Sequence, residues 1–70
     1  MGVGLGAMAI YQCLFSRDGM VTYWENIEAG SADCLREVLA GRLRGGEWDL
    51  AEAWLGEALS FRIKAAPLLM

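Results

Sequence analysis

Residues Ala53 to Ile63 constrain the fold most, because they read in two incompatible ways. On a helix, Trp48, Ala51, Leu55, Ala58, Leu59 and Ile63 fall near one stripe at three-to-four-residue spacing. As a hairpin, Gly56-Glu57 form the turn, and Leu59, Phe61 and Ile63 alternate with Ser60, Arg62 and Lys64. The Ala, Glu and Leu content favours helix by propensity, with only Gly56 against it. The alternation from Ala58 to Lys64 favours strands. The rest of the chain has to decide.

Seventy residues make one domain, and a core this small rarely supplies more than about 3–5 kcal/mol. Small proteins add disulfides, a metal or self-association. The only two cysteines are Cys13 and Cys34, no histidine is present, and nothing has zinc-ligand spacing. Self-association remains. The chain is 56% hydrophobic with three Trp, two Tyr and two Phe, a large apolar load for so little interior.

The net charge of −3 disfavours nucleic acid and anionic membrane as partners. Arg17, Arg36, Arg42, Arg44, Arg62 and Lys64 are spread along the chain and form no basic arm. The apolar stretch Val3 to Phe15 is too short for a membrane span and has no preceding Lys or Arg. The expectation is a cytoplasmic protein with reduced thiols. Residues 1–8 read as a flexible leader with Met8 as an alternative start, 9–64 as the domain, and 65–70 as a tail.

Ile10 to Ser16 sets Tyr11, Cys13 and Phe15 against Ile10, Gln12 and Leu14, which reads as a strand. Asp18-Gly19 between two apolar runs signals a hairpin, and Met20 to Ala29 reads as the returning strand. On that strand Val21, Tyr23 and Ile27 share one face, and Thr22, Trp24, Asn26 and Glu28 the other. Ser31 is a good N-cap, and Asp33 complements the dipole of the helix that follows. Leu35, Val38, Leu39 and Leu43 make its buried stripe, Arg36, Glu37, Ala40 and Arg44 its solvent side, and Gly45-Gly46 its stop. An isolated two-stranded hairpin is marginal, so the helix needs further strands beside the first two. That need turns 53–63 into a second hairpin. The expected fold is α+β: a four-stranded antiparallel sheet of two hairpins with one helix on one face, ββαββ.

The string Trp54-x-Gly56-x-x-Leu59-x-x-Arg62-Ile63 is similar to the end of a group of small uncharacterised bacterial proteins. These have a Tyr-rich first strand, an Asp-Gly turn, an acidic second strand, an Ala/Leu helix and a Trp-x-Gly hairpin. Tyr11, Asp18-Gly19, Glu28-Ala29, the Asp33 to Leu43 helix and Trp54-x-Gly56 fall in that order, and the resemblance spans Met8 to Lys64. Phe61 stands where a smaller residue is expected, and Ala58 where a polar one is. The resemblance implies a ββαββ fold and no chemistry.

The side chains offer little for catalysis. Gly2-x-Gly4-x-Gly6 lacks the strand before and the helix after that a phosphate loop needs, so no cofactor is expected. Without histidine as a base, Cys13 and Cys34 are better explained as small hydrophobes, although the helix dipole favours some reactivity at Cys34. Glu25 and Glu28 lie three apart on a strand and face opposite ways, and Asp49 and Glu52 share that odd spacing. Neither pair forms an acid–base site, and no enzyme activity is expected.

A sheet with one helix leaves one face open. The candidate interface residues are Leu14, Trp24, Trp48 and Trp54, because aromatics are enriched at interface hot spots. The expected function is a self-associating interaction module, dimeric through the open face or an edge strand. An alternative is an acidic inhibitor or adaptor of a nucleic-acid-handling enzyme, since eight of nine acidic residues lie between Glu25 and Glu57.

Overall fold

The computed structural model describes residues 8–65. Residues 1–7 of the expected leader over 1–8, and 66–70 of the expected tail over 65–70, lie outside the described residues. Five elements follow in the expected order: β1 (Ala9–Arg17), β2 (Met20–Ala29), α1 (Ala32–Leu43), β3 (Leu50–Leu55) and β4 (Ala58–Lys64). The strands form one antiparallel sheet in the order β2-β1-β3-β4, with the helix on one face. Residues 53–63 are therefore a hairpin. Gly56 holds φ +63° at the first central position, where a type II′ turn places glycine.

The other hairpin turn is equally local in origin. Asp18 and Gly19 have φ 54° and 83°, and a type I′ turn requires positive φ at both central residues. Asp18 bears that conformation with its amide donating to the Asp49 carboxylate at 3.0 Å. At the helix start, the Ser31 hydroxyl accepts the Cys34 amide at 3.1 Å, and Asp33 lies in the first turn. The helix ends at Arg44, and Gly46 follows at φ 84°.

Leu35, Leu39 and Leu43 of α1 bury against Tyr11, Cys13 and Phe15 of β1, Ala51 and Ala53 of β3, and Phe61 of β4. The alanines of β3 add little bulk beneath the helix. The buried stripe runs at strict four-residue spacing, which leaves Val38 off its side. Val38 is 46% exposed, contrary to the expectation that it belongs to the stripe. Arg36, expected in solvent, lays its guanidinium over the Phe61 ring at 4.6 Å.

Two bulges change which residues share a face. Between Phe15 and Ser16 the register shifts, so Phe15 opposes Tyr23 while Ser16 opposes Val21. Val21 thereby leaves the face of Tyr23 and Ile27, where period-two reading puts it, and joins Trp24. A second shift, where Ala53 opposes Phe61 and Trp54 opposes Leu59, makes Ser60 the extra residue. Leu59 moves to the face of Trp54 and away from Phe61 and Ile63. Each bulge adds one large apolar side chain to the uncovered side of the sheet.

Among the described residues no helix is long and apolar enough to cross a membrane.

Candidate interaction face

The two faces of the sheet differ in kind. On the helix side, one row reads Tyr23, Phe15, Ala51, Ile63 and the next Glu25, Cys13, Ala53, Phe61. A helix is about 10 Å across, while four strands span about 14 Å between their outer axes. The β2 margin of this face is closed by other means. Arg42 grips Glu25 with two hydrogen bonds, Nη1 to Oε1 at 3.0 Å and Nη2 to Oε2 at 2.8 Å. The Tyr23 hydroxyl donates to the same carboxylate at 2.8 Å. Trp48, in the loop after the helix, stacks on Tyr23 at 5.5 Å and tilts against Phe15 at 4.7 Å, with its indole N–H donating to Thr22.

The hydrogen bonds from Arg42 and then Tyr23 hold the Glu25 carboxyl below its ordinary pKa, against a smaller opposing effect of burial. A carboxyl whose folded-state pKa is depressed contributes stability above its unfolded pKa and loses it as pH falls through the folded one. Urea midpoints should therefore drop as the buffer is taken down through and below about pH 4.3, the unfolded glutamate value. Glu25→Gln should lower the midpoint at pH 7 and flatten that drop. An unchanged acid profile in the variant would remove Glu25 from the account.

The opposite face carries no element of the described chain. Its rows are Trp24–Leu14–Glu52–Arg62, Asn26–Gln12–Trp54–Leu59 and Val21–Ser16–Leu50–Lys64, with Glu28 and Ile10 beyond them at one end. Ile10 is 61% exposed, Trp24 55%, Val21 49% and Leu59 40%, while Leu14, Leu50 and Trp54 are half-buried by their neighbours. Seven apolar side chains thus share one surface, and two of them are tryptophans. Monomeric proteins rarely leave so much contiguous apolar surface in water. The charge in the middle is internally matched: Glu52 accepts from Arg62 Nε at 3.0 Å and from Trp54 Nε1 at 3.2 Å.

Of the four candidate residues, Leu14, Trp24 and Trp54 come together on this face. Trp48 does not. It lies on the helix side, half-buried in the aromatic stack. Sequence reasoning missed Ile10, Val21, Leu50 and Leu59 as members of the face. Ile10 and Leu50 were readable from alternation with Leu14 and Trp54, whereas Val21 and Leu59 arrive only through the bulges.

A cleft of about 720 Å³ lies where the end of α1, the first hairpin turn and the end of β4 meet. Leu43 and Trp48 line it beside Arg17, Asp18, Arg44, Asp49 and Lys64, of which Arg17 and Asp49 are engaged by hydrogen bonds. Arg17 donates to the carbonyls of Gly46 and Glu47, and Asp49 accepts the Asp18 amide. Its lining holds neither cysteine nor hydroxyl side chain. Glu25 and Glu28 do lie on opposite faces, since Glu25 opposes Cys13 and Glu28 opposes Ile10. Among the described residues, no three metal-ligating side chains gather.

Comparison with protein-family models, with curated proteins and with solved structures finds no match to this chain.

Proposed function

We propose that this chain is a non-enzymatic interaction module that associates with a second copy of itself through the open face of its sheet. The observation that supports this reading is the exposed row of Trp24 beside Leu14, continued by Trp54 and Leu59 in the next. A tryptophan beside leucine and valine on an open sheet face has the composition of an interface residue. Size supports it too. The face measures about 20 Å by 20 Å, so two corrugated copies approach about 1,000 Å² in total, near the lower bound for a specific interface.

Light scattering on the eluting size-exclusion peak tests this. The expected mass is about 15 kDa, twice the 7.7 kDa of one chain. Trp24→Ala should weaken association about 30-fold, the effect of losing a hot-spot residue, with unchanged circular dichroism. A 7.7 kDa species at concentrations up to about 100 µM, a Kd range already weak for an interface of this size, would overturn the reading.

The inhibitor reading draws less support from the structure. The eight acidic residues divide among both sheet faces, the helix and two connections, and Glu25 and Glu52 are already in ion pairs.

A further inference from the structure

We propose that the second copy lies across the open face with its strands steeply crossed, so that Glu28 of each copy meets Lys64 of the other. This rests on the self-association reading and adds its geometry.

The face carries four charges. Glu52 on β3 and Arg62 on β4 neutralise each other. Among the described residues, Glu28 and Lys64 belong to no ion pair. They occupy opposite corners. Glu28 is on edge strand β2, opposite Ile10 at one end of the sheet. Lys64 is on edge strand β4, opposite Leu50 at the other end. Three strand spacings and about six residues of rise separate them, about 25 Å, too far for a contact within one chain.

A dimer of identical chains uses a two-fold axis, so a contact from one residue to another occurs twice. Three orientations of that axis within the interface can be compared. An axis parallel to the strands lays Lys64 over Val21 of the second copy and leaves Glu28 unmatched. An axis perpendicular to the strands lays Glu28 over Val21 and leaves Lys64 unmatched. Either choice takes charge out of water against an apolar side chain, which is unfavourable. An axis in the interface perpendicular to the Glu28–Lys64 line exchanges those two corners, and both charges find partners. It runs close to Trp24 on one edge strand and Leu59 on the other, so each of these meets its own copy. The strands of the two sheets then cross at a steep angle, the orthogonal class of sheet packing.

Lys64 is the only lysine of the chain, which makes the test selective. Carbodiimide joins a carboxylate to an amine with no spacer, so treatment of the full chain at dimer-forming concentration should give a covalent dimer. Mass spectrometry of a mixture of 14N- and 15N-labelled chains should place the intermolecular link between Glu28 and Lys64. Lys64→Arg should abolish the link and leave the scattering mass unchanged. Glu28→Lys and Lys64→Glu should each weaken association about tenfold, and the double variant should recover most of the loss. A dimer whose links map elsewhere, or one indifferent to both single reversals, overturns the crossed arrangement and leaves self-association standing. Dimerisation that survives Trp24→Ala undiminished, with links confined to the β2 edge, also overturns it and points to strand pairing. A chain monomeric throughout removes both readings together.

Discussion

Phe15→Ala should remove more than half of the chain's stability, the largest loss expected from any single truncation. Phe15 is fully buried on the central strand β1, between the leucine stripe of α1 and the Tyr23 and Trp48 rings at 5.7 and 4.7 Å. The Arg42 guanidinium lies 5.7 Å from its ring centroid while gripping Glu25. Its loss therefore opens a cavity and also removes the surface that aligns Trp48 and Arg42 along the β2 margin. Truncating a buried Phe costs about 3–5 kcal/mol, comparable to the about 3–5 kcal/mol that a core this small supplies. Urea unfolding followed by tryptophan fluorescence reads this directly, because Trp48 reports on the same contacts. Protein concentration must be held fixed, since association adds to apparent stability. Leu14→Ala, one residue away on the open face and only half-buried, should cost the monomer much less. Equal losses at the two positions would contradict the assignment of faces.

The architecture was legible where the signals were local. Asp18-Gly19, Ser31 and Gly56 each require or supply a particular backbone geometry, and each sits where the sequence places it. The tie over 53–63 broke on a tertiary argument, the need of one helix for a sheet wide enough to cover. What the sequence could not show is set by residues far apart in the chain. The order β2-β1-β3-β4 follows from β1 pairing with β3 across the helix connection. The Arg42–Glu25 grip joins positions 17 apart, and no spacing rule announces it. Trp48 looked like an interface residue because its position in a loop gives no phase from which a face can be read. The bulges at Thr22 and Ser60 carry neither glycine nor proline, so strict alternation put Val21 and Leu59 on the wrong side. That error matters for function. Moving both side chains to the open face enlarges the apolar surface on which the proposed association depends.

The two cysteines should separate by a wide margin in their reaction with a disulfide reagent such as dithionitrobenzoate. Native chain at pH 8 should release about one equivalent of chromophore quickly and the second slowly, unless urea unfolds the protein. Cys34 is exposed on α1, while Cys13 is fully buried on β1 beneath it. Burial pushes the Cys13 thiol up to about 11; the nearby Glu25 charge adds to this and Arg42 partly offsets it. At pH 8 a thiol of that pKa is about 0.1% thiolate, against about a quarter for a free cysteine near 8.5. A more basic thiolate is also a better nucleophile, which offsets part of that deficit. Steric closure contributes the rest, because the reagent must wait for the helix to lift from the sheet. The second equivalent should therefore appear at a rate that follows the opening equilibrium, rising in Phe15→Ala by about two orders of magnitude or more. Cys34→Ser should erase the fast phase and leave the slow one intact. A fast phase that persists in Cys34→Ser would mean that Cys13 is reachable in the native state, and the helix would not be the cover of the β1 face.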